Sequence, residues 1–163
     1  MRCVMCGNKK ELKKSQATIK YKECGLDNVT LHGVEHHKCD QCGEEYYGFG
    51  DQEQLHSLIS KALILKKGVL NGKELRFLRT FLGLSGAMFA ARVAVSKETI
   101  SRFETGSRPI SKTFDILVKS LVANKLPDRD YDFHDHWLKQ QGKNFKLIEL
   151  NAEKDGWHLK LAT

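Results

Sequence analysis

Two stretches near the start of the chain alternate apolar and polar residues, QATIKYKE (16–23) and NVTLHGVEHHKC (28–39). A period of two marks half-buried strands, and CGLDN between them supplies a turn. From residue 51 the period changes. In DQEQLHSLISKALILKKG (51–68), Leu55, Leu58, Ile59, Ala62, Leu63 and Leu65 form one wide stripe. Asp51 is placed to cap this helix, Lys66 and Lys67 fall in its last turn, and Gly68 stops it. A small N-terminal module has little core to cover that stripe, so its own domain and a second subunit both stand as packing partners.

Short capped helices follow. NGKELRFLRTFLG opens on Asn71 with Glu74 as its box partner and ends at Gly83. LSGAMFAARV and AVSKETISRFETG take Ser85 and Ser96 as caps, and a last helix starts near Ser111. Two short helices joined by the VAV turn describe a helix-turn-helix, with Ala90 small enough for a close crossing. Near the end, NFKLIEL and WHLKLAT alternate on either side of NAEKDG, predicting a second hairpin. The expected fold class is α+β, in four parts: a β-rich module (1–50), a linker helix (51–70), an all-α unit (71–126), and a C-terminal extension with a hairpin (127–163).

Charge sharpens this division. The 163-residue chain carries a net +7, and residues 71–126 hold ten Lys/Arg against four Asp/Glu, or +6 of it. A merely basic surface would spread the excess; concentration in one helical block is the footprint of a nucleic-acid partner. No apolar run approaches the ~20 residues of a membrane span. A cysteine pair from residue 3 leaves no room for a signal peptide, so a reducing, cytoplasmic location is expected, with the protein bound to the nucleoid.

Of five cysteines, four form two matched C-x-x-C-G units, CVMCGN and CDQCGE. Cys3, Cys6, Cys39 and Cys42 make the thiolate set of a closed tetrahedral zinc site. Each trailing glycine allows the positive φ that turns backbone amides toward the sulfurs. A thioredoxin-like redox pair would want one C-x-x-C beside a βαβ pattern, which is missing here. One structural Zn2+ per chain is expected. Cys24 falls in a turn and reads as a structural thiol. His32, His36 and His37 read as strand residues, because four cysteines already complete the coordination. Asp132, His134, Asp135 and His136 lack the spacing of a metal site. A four-thiolate ion leaves no open position for water and no nucleophile–base arrangement stands out, so an enzyme is not expected.

In the second helix of the pair, Ile100 and Phe103 must face the core, which turns Lys97, Glu98, Ser101 and Arg102 outward. Reading base edges in a major groove needs such hydrogen-bonding side chains at the start of a helix. The stretch LGLSGAMFAARVAVSKETISRFETGSRPIS resembles the Xre family of lambda-repressor-like domains. With the cysteine module ahead of it, the chain resembles MqsA-type antitoxins that carry a YgiT-type zinc finger, over residues 1 to about 125. The resemblance implies base contacts from Lys97, Glu98, Ser101 and Arg102, and DNA-backbone contacts from Ser85, Gly86, Ser96 and Arg108. It implies a structural pairing of Arg79 with Glu104. It further implies a homodimer on palindromic double-stranded DNA, repression of its own operon, and a toxin protein held at the zinc module. Three positions depart from the family pattern. Gly86 replaces a glutamine, Ala94 replaces the glycine of the turn, and Glu98 replaces an asparagine, pointing to cytosine rather than adenine at that base pair. The competing expectation is a zinc-ribbon protein-interaction module whose helix-turn-helix no longer reads DNA.

Overall fold

The computed structural model describes residues 2–7, 12–125 and 147–161. Over these the chain is α+β, with five strands and five helices in the order β1 (Lys13–Lys20), β2 (Val29–Lys38), β3 (Glu45–Gly48), α1 (Gln52–Leu65), α2 (Gly72–Phe81), α3 (Gly86–Arg92), α4 (Lys97–Glu104), α5 (Lys112–Ala123), β4 (Ile148–Glu153) and β5 (Gly156–Leu161).

β2 is the spine of the single sheet. β1 pairs antiparallel along one edge, and an irregularity falls in mid-strand: Ala17 pairs with Val34 but Ile19 pairs with Leu31. The extra residue on β2 is accommodated at Gly33, whose φ of 71° suits a glycine. This bulge resets the alternation, so Leu31 and Val34, three apart, both enter the core. The other edge of β2 is shared. β4 runs parallel to Val29–His32, and β3 runs antiparallel to Glu35–Lys38. The expected second hairpin is β4–β5, with strands that extend into NAEKDG. Glu153 still pairs with Gly156, leaving Lys154 and Asp155 as the turn.

α1 is the central layer. Leu55, Ile59, Ser60, Ala62, Leu63 and Ile64 are buried on it; four of these lie on the predicted stripe, whose Leu58 and Leu65 are only half-buried, while Ser60 and Ile64 lie outside it. It is covered from two sides, by β5 of the sheet and by α2 and α5. Its Gln54 accepts from the Trp157 backbone N–H (2.9 Å), and the Trp157 indole N–H donates to the Phe49 carbonyl (3.0 Å). Between sheet and helices, the Tyr21 hydroxyl meets His56 Nε2 at 3.1 Å, and the His56 ring stands edge-on to Phe77. Burial pushes the His56 pKa down. Lys73 bridges the same junction to Asp27. One continuous core therefore runs from Leu31 and Ile148 in the sheet to Leu78, Phe89 and Val118 in the helices.

The loop from α1 to α2 is held by charges under cover. Lys66 Nζ lies 2.8 Å from Glu74 Oε1, and Glu74 Oε2 also accepts from Asn71 N, completing the capping box. Lys119, only 2% exposed, lies 3.0 Å from Asp115 and donates to the carbonyls of Lys66 and Gly68. Asp115 in turn accepts from Leu70 N at 2.8 Å. A buried ammonium persists only when its donors are met, and these are.

Ser85, Ser96 and Ser111 each accept the N3 amide of their helix at 3.2 Å. The turn joining α3 to α4 is closed by Val95 N donating to Ala90 O, and it forces Ala94 to a φ of 53°. That left-handed region costs an L-residue roughly 1–2 kcal/mol. Ala94→Gly is accordingly expected to raise stability by about 1 kcal/mol, after the extra entropy glycine gives the unfolded chain. A higher urea midpoint at constant slope would show it; an unchanged or lower midpoint would mean the turn carries no strain. Among the described residues no helix is long and apolar enough to cross a membrane.

Candidate metal centre and nucleic-acid interface

The two C-x-x-C-G units fold into matching knuckles. Gly7 N donates to Cys3 O (3.1 Å) and Gly43 N to Cys39 O (2.9 Å), with φ of 68° and 76° at the two glycines. The knuckles meet. Cys3 Sγ lies 3.6 Å from Cys42 Sγ, Cys6 Sγ lies 3.7 Å from Cys39 Sγ, and all four sulfurs lie within 4.8 Å of one another. An ion bound to four thiolates at about 2.3 Å separates tetrahedral sulfurs by roughly 3.8 Å. The group is positioned to bind a metal ion. Four thiols at this distance do not ionise independently. The Tyr46 hydroxyl, 3.3 Å from Cys3 Sγ, leads in lowering the Cys3 pKa to about 6. At Cys42 a Glu44 backbone hydrogen bond acts downward, but desolvation and the neighbouring thiols prevail and push it up to about 12. A cation among the sulfurs removes that conflict.

Among the described residues the apolar support around the sulfurs is slight: Cys3, Leu12 and Cys39, with Tyr46 against them. Tyr46 was not among the residues singled out in the sequence, and nothing in its spacing marks it. The histidines stand apart from the sulfur cluster. His36 Nδ1 meets Ser15 Oγ at 3.0 Å and its ring stacks on Tyr47, while His37 Nε2 meets Glu35 at 2.9 Å. His32 lies between Thr18 and Glu149. Cys24 donates its S–H to Tyr21 O at 3.1 Å, and burial raises its pKa. The Asp132, His134, Asp135 and His136 group lies outside the described residues.

On α4, Ile100 and Phe103 are buried at 1% and 6% exposure, and Lys97, Glu98, Ser101 and Arg102 are exposed on the outer face. Ser96 serves as the cap. Its hydroxyl also meets Thr99 Oγ1 at 3.1 Å, and the Glu98 carboxylate is held below its usual range first by its own backbone N–H and then by the Ser96 hydroxyl. Glu98 thus folds back on the start of its helix. Ser85 caps α3, and Gly86 opens that helix with empty space where a side chain would project. Arg108 rests over the Phe103 ring, 5.5 Å from its centre. The carbonyl of Arg102 accepts from the Thr105 and Ser107 hydroxyls and from Arg108 N, which fixes the end of α4. Arg79 clamps the pair of helices from behind: Nε and Nη2 reach Glu104 at 2.6 and 3.3 Å, and Nη1 donates to Leu84 O at 2.7 Å. Comparison with protein-family models, curated proteins and solved structures gave no match to this chain.

Proposed function

We propose that the chain is a sequence-specific DNA-binding repressor with one structural zinc ion held by Cys3, Cys6, Cys39 and Cys42. The observation that carries this reading is the outer face of α4. Lys97, Glu98, Ser101 and Arg102 stand exposed opposite a buried Ile100 and Phe103. They do so within the block that holds +6 of the chain's +7. Solvation alone explains a polar helix face, but not its coincidence with capped, clamped paired helices and the charge excess. Lys97 and Arg102 supply donors for guanine or phosphate; Glu98, once released from Ser96, supplies an acceptor for a cytosine amino group. Zinc is preferred over softer alternatives because two C-x-x-C knuckles close a tetrahedral S4 site without demanding redox chemistry. A two-fold dimer on a palindrome would put two such helices about one helical turn apart.

The resemblance to MqsA-type antitoxins extends the proposal: a cytoplasmic antitoxin that represses its own operon, with the toxin at the zinc end. Gel shifts on DNA upstream of its own gene test the first part. A salt-sensitive complex that prefers that sequence supports it; no such preference favours the protein-interaction module instead. Copurification with the product of the neighbouring reading frame tests the second part. Arg102→Ala is expected to cost about 1–3 kcal/mol of operator affinity and to relax discrimination at one base pair. Titrations over single-base operator variants would read this. A uniform loss across all variants would make Arg102 a phosphate contact.

A further inference from the structure

The sheet is split beside its bulge. β4 leaves the edge of β2 after His32, and β3 joins that edge only at Glu35. Gly33 and Val34 therefore lie between the two strands with neither as a ladder partner. The split opens into a cleft of about 630 Å³, a volume typical of ligand sites. Phe49 and Trp157 form apolar wall, and Trp157 is kept from filling the space by the Phe49 carbonyl that holds its indole N–H. The ionisable lining is one-sided: Glu35, Asp51, Glu153 and Asp155 against Lys154.

We propose that this cleft binds a cationic side chain, an arginine or lysine on a basic segment of a partner polypeptide. The half-buried Phe49 ring and the carboxylate rim together suit a guanidinium or ammonium group, which gains from aromatic surface as well as from negative charge, while Trp157, 5% exposed, backs the wall from the core. Glu153 and Asp155 bring their ligand atoms within 4.8 Å of each other and of His158 on the exposed turn, an arrangement whose metal binding is one outcome of the test; Glu35 and Asp51 stand outside that group. Glu35 is turned to His37 and Lys14, Asp51 caps α1 through Glu53 N and Gln54 N, and Asp155 is turned to His158. Glu35 and Asp51 contribute negative field to the cleft rather than a coordination sphere. The inference stands apart from the DNA-binding reading, since no residue of α3 or α4 lines the cleft.

The test is calorimetric titration of the full chain with an arginine–glycine repeat peptide, and with a glutamate–glycine peptide as control. Binding of the first alone is expected, weakening as salt rises, with amide shifts at Gly33 and Gly48. Gly48→Leu should plug the cleft. The backbone there is open to any residue, and an added Cβ meets the Glu35 side chain at an ordinary 3.4 Å. It is expected to weaken the peptide about tenfold or more, and Glu153→Gln about threefold. Should Gly48→Leu fail to fold, Glu153→Gln decides alone, because its side chain is exposed. Unchanged affinity in the folded variants would overturn the proposal. So would displacement of the peptide by magnesium chloride beyond the effect of equal ionic strength, which would make the cleft a metal site. DNA binding by both variants should be unchanged, so failure here is distinguishable from failure of the repressor reading.

Discussion

Cys39→Ser, or removal of the metal by a strong chelator, is expected to melt one end of the molecule and spare the rest. The four sulfurs leave a metal-sized space between them, and among the described residues little apolar surface holds them together, essentially Leu12 and Tyr46 beside Cys3 and Cys39. Structural zinc in such modules contributes apparent binding free energies of about 10–16 kcal/mol near neutral pH. Without it, closely packed thiols with divergent proton affinities have no reason to stay in contact. The boundary of the damage lies within β2. Its first half, Val29 and Leu31, is locked into the main core beside Ile148 and Leu150; its second half pairs with β3 and leads into the knuckle. Hydrogen exchange should therefore show lost protection from about Glu35 through Gly48, with Val29–Leu31 and all five helices still protected. Collapse of the whole chain in one step would mean the two halves of β2 are one cooperative unit. Retained protection at Tyr46 and Tyr47 would mean the metal is dispensable.

Lys119→Ala should carry the largest cost among single changes in the helical part, about 3–5 kcal/mol. The substitution leaves Asp115 buried with its charge uncompensated and strands the carbonyls of Lys66 and Gly68. Chemical denaturation measures the loss. The double variant Lys119→Met with Asp115→Leu should recover much of it, because a well-packed apolar pair avoids desolvation altogether. Recovery would be incomplete, since Leu70 N loses its acceptor. A cost below about 1 kcal/mol for Lys119→Ala would mean the ammonium reaches water after all.

How much of this was legible in the sequence depends on the range of each interaction. The knuckles, the serine caps and the Asn71–Glu74 box were readable because each is closed within a few residues. The α4 face was readable for the same reason: Ile100 and Phe103 fix it by helical period. Long-range pairings left fainter marks. The parallel match of β2 to β4 has no local signature, since NVTLHGVEHHKC reads equally well with either neighbour. Ile64 and Ser60 broke the expected one-sided stripe of α1 because the helix is covered from both sides. Lys119 entered only as one of the ten cations of the basic block, although its spacing from Asp115 inside the apolar run FDILVKSLV was a usable signal. The cleft was invisible, being defined by where two strands stop.

The parallel seating of β4 against β2 also sets an order of events. During synthesis, β1 and β2 emerge first and the knuckle closes early around its own short loops. All five helices follow before β4 is made. Until then the Val29–His32 edge of β2 lacks β4 as a partner, and the Trp157 N–H is not yet at hand to donate to Gln54. A chain stalled or cut before Ile148 would hold a metal knuckle and a helix-turn-helix joined by an exposed strand edge, the kind of surface that recruits chaperones, proteases or another copy. The seam beside Val29–His32 therefore stays open until the C-terminal hairpin is made, however early the rest of the sheet has formed.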